Sequence, residues 1–332
     1  MDSHMEKPYV VGIDIGGTNT VFGIVDARGT IMAKNDGSDK NTKIKTNEYA
    51  QIEEFVDKVC EELLALVNAN AQDGLDKIKG IGIGVPNGNF YNGTIEFAPN
   101  LRWKGVIPLA AMIEEKLGVP TILTNDANAA AVGEMTYGAA RGMKDFIMIT
   151  LGTGVGSGIV INGQVVYGHD GFAGELGHVV VRHDGRRCGC GRNGCLEAYC
   201  SATGLVQTVR GLLIAREEAS VLRNIAPENI TSKDVHDAAI QGDVIAQETF
   251  NFTGRVLGQA LADFIAFSSP QAIILFGGLT KAGDYIMKPI QKAIDDNVLK
   301  IFRGKAKLLV SELKDSDAAI LGASALAWEL KG

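Results

Sequence analysis

No stretch of apolar residues in this 332-residue chain approaches the roughly 18 that a membrane-crossing helix needs. Met1 to Lys7 likewise hold no apolar stretch able to act as a signal sequence, so a cytoplasmic protein with no membrane partner is expected. Met1 to Met5 read as a remnant of cloning and are set aside. Basic excess is missing too. Lys and Arg number 32 against 39 Asp and Glu, for a net charge of -7, which argues against a nucleic-acid partner. No low-complexity linker interrupts the chain, so any domains should be joined by short hinges. Disulfide patterning is absent as well. The five cysteines are an odd number, and Cys188, Cys190, Cys195 and Cys200 crowd together, which is no disulfide framework. A reducing compartment would keep the thiols free.

What is present is a glycine-rich α/β pattern with enough apolar residues, 46%, for a sizeable core, and a length that suggests two domains. Tyr9 to Ile15 and Thr20 to Val25 read as strands turned at Gly16-Gly17, with a third after Gly29. Tyr49 to Val67 carries apolar residues at helical spacing, and Cys60 falls on that stripe as a core residue. Ile78 to Val85 reads as a strand, Ile107 to Leu117 as a helix, Val119 to Leu123 as a strand and Ala127 to Tyr137 as a helix. The pattern then restarts. Asp145 to Leu151 and Ser157 to Val160 are strands around Gly152-Thr153-Gly154, and Gly29 and Gly163 close the two hairpins at similar places. This repetition reads as a duplication, and two related halves would leave a ligand cleft between them. Helices are expected at 202–218, 232–241, 244–267, 285–298 and 317–330, with strands at 272–276 and 307–311.

Asp14-Ile15-Gly16-Gly17-Thr18-Asn19 sets an acid at a strand end before two glycines. Glycines let backbone N–H groups approach phosphate oxygens, Thr18 can donate a hydroxyl, and Asp14 can hold the water shell of Mg²⁺. The turn Gly152-Thr153-Gly154 has no acid and would grip phosphates through N–H groups and Thr153. A tight hairpin needs glycine anyway, so each turn alone is weak evidence; two at equivalent places are stronger. Gly277-Gly278 is a third candidate, or a plain turn. The chain has no G-x-x-x-x-G-K-S/T motif, so this is no P-loop protein. Asn125-Asp126 sits where a strand gives way to a helix. Asp126 can cap that helix, accept a proton from an attacking hydroxyl, or do both, since a carboxylate at a helix start stays ionised.

The most specific local signal is His178 followed by Cys188, Cys190 and Cys195, the spacing H-x9-C-x-C-x4-C. Three thiolates and an imidazole suit tetrahedral Zn²⁺ and leave no open position, so a structural zinc is expected. Gly189, Gly191 and Gly194 supply bends, and Cys200 lies outside the set. Glu175 and Glu197 flank this loop, as sugar-binding carboxylates or as solvated surface groups.

Taken together, Asp14-Ile15-Gly16-Gly17-Thr18, Pro99-Asn100-Leu101-Arg102-Trp103, Asn125-Asp126, Leu151-Gly152-Thr153-Gly154-Val155-Gly156-Ser157-Gly158, Gly174-Glu175-Leu176-Gly177-His178, the Cys188 to Glu197 loop and Gly277-Gly278 resemble the ROK family of bacterial sugar kinases and repressors, its glucokinases most. The likeness runs from about residue 8 to the end. It implies an actin-like, ribonuclease-H-like α/β fold of two domains. A small domain would span 1–124 with helix 317–332 returning to it; a large one would span 125–316, with the zinc loop and a dimer surface. It implies ATP, Mg²⁺ and a structural Zn²⁺, a homodimer or larger homo-oligomer, and phosphorylation of a hexose 6-hydroxyl, glucose first. Asp126 would be the general base, and Asn100, Asn125, Glu175, His178 and Glu197 would hold the sugar. His178 would bind zinc through one ring nitrogen and a sugar hydroxyl through the other. The nucleotide would meet Asp14, Gly16, Gly17, Thr18, Asn19, Gly152, Thr153, Gly154, Gly277 and Gly278. Alternatives within the family are kinases of N-acetylglucosamine, N-acetylmannosamine or fructose; Asn100 favours glucose over N-acetylmannosamine. A sugar-sensing repressor is disfavoured, because Asp14 leaves no room for a preceding helix-turn-helix. One departure is Gly84-Val85-Pro86-Asn87-Gly88, with an extra Asn87 where many relatives have Gly-x-Pro-Gly.

Overall fold

The computed structural model describes residues 7–39 and 42–330, so the cloning remnant and the last two residues of the expected terminal helix lie outside the described residues. The chain divides into two compact units. The first runs to Gly142, adds Val165–Gly174 and ends with the segment from Glu312; the second comprises Met143–Gln164 and Glu175–Ser311.

In the first unit, β1 (Tyr9–Ile15), β2 (Thr20–Asp26), β3 (Ile31–Asn35), β4 (Ile78–Gly84) and β8 (Thr121–Thr124) form one sheet in the order β3-β2-β1-β4-β8. Three two- or three-residue strands, β5 (Gly88–Asn89), β6 (Thr94–Glu96) and β7 (Val106–Ile107), form a separate small sheet. Val10, Val11, Ile13 and Ile15 are all buried. A strand covered on both faces needs such a near-continuous apolar run. Helix α1 (Ile52–Asn70) covers one face through Phe55, Val56, Val59, Cys60, Leu63 and Val67, so Cys60 is a core residue. Helix α2 (Leu109–Leu117) packs beside it, α3 (Asp126–Tyr137) follows β8, and α9 (Asp315–Ala327) covers the other face.

The second unit repeats the plan. Strands β9 (Phe146–Leu151), β10 (Val155–Ile161), β11 (Gln164–Val165), β12 (Ala272–Phe276) and β13 (Lys307–Val310) stand in the order β11-β10-β9-β12-β13. In both sheets the first two strands pair antiparallel and the later two add in parallel. Asp14 in one and Thr150 in the other are each the last residue but one of their strand. Four helices, α5 (Ala202–Ala215), α6 (Ser232–Ile240), α7 (Val244–Ser268) and α8 (Asp284–Asn297), pack on this sheet and one another after the short α4 (Glu197–Cys200).

The observed units part from the expected boundary near Thr124. Residues 125–142 belong to the first unit, because α3 lies on α9 through Ala129, Val132, Ala325 and Leu326. Val165–Gly174 was not anticipated there at all. Asn89 Nδ2 donates to Asp170 O at 2.8 Å, Tyr91 Oη to Gly168 O at 2.7 Å, and the Phe90 and Tyr167 rings stack at 4.0 Å.

Candidate functional site

Within the first unit, β1 delivers Asp14 to its C-terminal end, and Gly16 N–H closes the following turn on Asn19 O at 3.0 Å. Thr18 and Asn19 are exposed on that turn. A Cβ on Gly17 would lie 2.6 Å from Asn100 O, so the turn and the Asn100 loop touch only because that position is glycine. The Asn100 loop is pinned from inside. Trp103 is buried against Phe55 at 4.7 Å between ring centres, and Lys104 Nζ donates to the carbonyls of Ala98, Pro99 and Leu101 at 2.9, 3.3 and 2.7 Å. Asn87 has a left-handed φ of 52°, and its Nδ2 donates to Glu96 O at 2.9 Å. Asparagine tolerates that conformation, so Asn87 can both turn the chain here and clip it to Glu96.

The cap of α3 is Asn125, not Asp126: Asn125 Oδ1 accepts from Ala127 N at 2.8 Å. Asp126 stands one residue later, where its Oδ1 accepts from the same N–H at 2.9 Å. It is solvent-accessible. A Cβ on Gly84 would lie 3.6 Å from Asp14 Oδ1 and 3.7 Å from Asp126 Cα, so the two acids flank one glycine. Crowding by the surrounding protein, and then the charge of Asp126, push the Asp14 carboxyl up to about 7. The same crowding raises Asp126, against backbone N–H groups that lower it. A divalent cation would relieve both, since charge opposite to the carboxylates favours their ionised forms.

Within the second unit, the turn Gly152–Gly154 joins β9 to β10, with Gly152 and Thr153 exposed. Gly277 packs against the end of β9, where a Cβ would be 2.6 Å from Leu151 O. Gly277 and Gly278 thus stand next to this turn. Glu175 and His178 bracket a short 3₁₀ turn, and Leu176 N donates to Ser157 Oγ at 3.0 Å. Glu175 is exposed, His178 and Glu197 half-buried.

The four metal candidates come together. Donor atoms of His178, Cys188, Cys190 and Cys195 all lie within 4.8 Å of one another. Cys190 Sγ is 3.7 Å from Cys195 Sγ, and Cys188 Sγ is 3.7 Å from His178 Nδ1. A tetrahedral ion with bonds of ~2.0–2.3 Å places its donors ~3.3–3.8 Å apart, so the set fits zinc. Nδ1 faces the Cys188 thiol, which leaves Nε2 for another partner. Gly191 and Gly194 have φ of 91° and 78°, whereas Gly189 is not among the positive-φ glycines. Cys200 is buried and its Sγ meets Thr253 O at 3.8 Å, outside the set.

Arg186 escaped the sequence reading. Its guanidinium lies 4.7 Å from the centre of the Tyr199 ring and donates to Ala198 O, Gly204 O and Thr208 Oγ1, while its N–H donates to Tyr199 Oη at 2.9 Å. It ties the cysteine loop to α5. An arginine among surface-loop residues carries no periodic signal that would reveal this.

The sequence matches the family described as the ROK family over residues 10–329. A glucokinase of Thermotoga maritima is 33% identical over 331 residues, covering 99% of this chain and all of that protein. The crystal structure of a ROK family glucokinase from Streptomyces griseus, in complex with glucose and AMPPNP, superimposes with a TM-score of 0.79 at 34% identity over 97% of this chain and all of that one. A xylose repressor of Bacillus spizizenii is 29% identical over 325 residues, which span 97% of this chain and 77% of the repressor.

Proposed function

The chain belongs to the ROK family, with its actin-like α/β fold, and from that premise we propose that it is an ATP-dependent kinase phosphorylating the 6-hydroxyl of a hexose, glucose above others. Relatives named glucokinase, and the S. griseus enzyme with glucose and a nucleotide analogue bound, support the reading. The observation that carries it is the pair Asp14 and Asp126 on either side of Gly84, next to the Gly16-Gly17 turn. Phosphoryl transfer asks little covalent work of a protein: a base, a cation and donors to the phosphates suffice.

In this reading the first unit supplies Asp126 to take the hydroxyl proton, and Asp14 to hold hydrated Mg²⁺. In that unit the turn Gly16–Asn19 would offer phosphate the donors of Gly17, Thr18 and Asn19, the Gly16 N–H being bonded to Asn19 O. The candidate donors in the second unit are Thr153, Gly154, Gly277 and Gly278, the Gly152 N–H being bonded to Gly154 O. Asn100, Asn125, Glu175, His178 through Nε2 and Glu197 bind sugar hydroxyls. Zinc on His178, Cys188, Cys190 and Cys195 orients the imidazole and has no reacting position. The protein would work in the cytoplasm as a homodimer or larger assembly.

Sugar-dependent ADP release, measured across glucose, fructose, mannose, N-acetylglucosamine and N-acetylmannosamine, tests the reading. The largest kcat/KM is expected with glucose. A larger value with an amino sugar or fructose would move the specificity and keep the chemistry. The likeness to xylose repressors supports a second reading, a sugar-responsive regulator. Sugar binding with no ADP release would favour it and end the kinase proposal.

A further inference from the structure

Val155 is the first residue of β10, directly after the Gly152–Gly154 turn, and its N–H and its carbonyl both meet the flanks of the cysteine loop. Its N–H donates to Glu197 Oε2 at 2.9 Å. Its carbonyl lies so close to Gly177 that a Cβ there would be 2.0 Å from the oxygen. Gly177 directly precedes His178, and Glu197 Oε1 lies 3.4 Å from Cys188 Sγ. Gly154 makes room for the carboxylate, since its Cβ would fall 2.5 Å from Glu197 Oε2. On the other side of the turn, Ala202 N donates to Gly152 O at 2.8 Å and Thr203 Oγ1 to Thr153 O at 3.2 Å. Ala202 and Thr203 follow Glu197 along the same short stretch, through α4 into α5.

We propose that Glu197 is a positioning residue for the nucleotide: the Gly152 N–H closes the turn on Gly154 O at 3.0 Å, and the Glu197 carboxylate sets the remaining N–H groups, those of Thr153 and Gly154, so the loop that holds the metal also shapes the phosphate grip before any sugar arrives. Donors aimed in advance cost nothing to reorganise when the phosphate binds, which is where most of their worth lies. The inference rests on reading Gly152–Gly154 as a phosphate turn. A role for Glu197 confined to sugar hydroxyls predicts no effect on nucleotide binding.

The test is calorimetric titration of the zinc-loaded protein with AMPPNP and Mg²⁺ in the absence of sugar, with zinc content measured on every variant. Glu197→Gln keeps the reach to Val155 N–H and loses the charge; Glu197→Asp keeps the charge and loses the reach. Loss of a hydrogen bond to a charged group should weaken AMPPNP about tenfold in Glu197→Asp, and Glu197→Gln should stay within about threefold of wild type. Hydrogen exchange at the Val155 amide should speed up in Glu197→Asp without any ligand. Gly154→Ala, whose methyl group would displace Glu197 Oε2 and leaves all four metal candidates untouched, should speed that exchange likewise. Unchanged AMPPNP affinity in Glu197→Asp, or unchanged Val155 exchange in both Glu197→Asp and Gly154→Ala, overturns the inference. A wild-type protein that binds no AMPPNP removes the phosphate-turn reading itself, a result separable from either.

Discussion

The two sheets share strand order and strand direction, yet the turns at equivalent ends carry opposite chemistry. The first presents Asp14, a carboxylate crowded toward neutrality beside a second acid. The second presents Thr150, whose Oγ1 accepts from Gly156 N–H at 3.1 Å and which brings no charge. Repetition of the backbone has kept the hairpin and its glycines. Side-chain divergence has left a crowded carboxylate at one turn and a neutral hydroxyl at the other, which under the proposed function makes the first the cation site and the second a set of neutral donors. A duplicated fold thus preserves where groups stand, while function follows from which of them can be charged.

The largest break should come from Asp126→Ala. Loss of a general base should lower kcat by roughly 10²–10⁴-fold. Thermal melting should stay close to wild type, because the cap of α3 is Asn125; steady-state kinetics beside a melting curve would show whether turnover and fold separate. The cysteine loop, which has no counterpart among the described residues after the first sheet's hairpin, sets the next contrast. Chelation of zinc should speed hydrogen exchange across 179–196 and abolish sugar binding, leaving the strands of the first unit protected, because a structural metal couples to local folding.

Asp14 offers a smaller effect with a definite sign. Its carboxyl is higher in the folded protein, at about 7, than in the unfolded chain, so its ionisation opposes folding. That penalty is absent below about pH 4, grows as pH rises and is complete above about pH 7. In metal-free protein Asp14→Asn should therefore raise the melting temperature at pH 8 and leave it unchanged at pH 3. Mg²⁺ affinity of the wild type should fall as pH drops below about 7, and Asp126→Asn should move that fall to lower pH by removing the charge that helps raise Asp14. The mildest change should be Thr150→Ala, at about 1 kcal/mol of stability for one neutral hydrogen bond, with Mg²⁺ affinity unmoved. A Mg²⁺ defect in Thr150→Ala as large as that of Asp14→Asn would erase the distinction between the turns.

Much of this was legible in the sequence because it is local. The strand pairs, the helical stripe of α1 and the glycine turns are written in short periodicities, and the cysteine spacing announces its own cluster. What escaped depends on which segments meet. No stretch near Thr124 signals that α3 will lie on α9. Val165–Gly174 joins the first unit through Asn89 and two stacked rings that the sequence separates widely. The Lys104 clasp, the Arg186 anchor and the Glu197 bond to Val155 are single side chains answering backbone groups, which leave no mark in any period. The small β5–β7 sheet, of two- and three-residue strands, is too short for alternation to register.

The division of the chain bears on how the protein is made. Its path passes from one unit to the other after Gly142, Gln164, Gly174 and Ser311. Val10 and Val25 of the opening hairpin share their core with Ile320, Leu321 and Ala327 at the far end. During synthesis this hairpin must therefore wait, with that face open, until Ala327 has left the ribosome. The first sheet begun is the last one sealed, and a chain stalled short of Ala327 would present an unfinished sheet to whatever surveys nascent proteins.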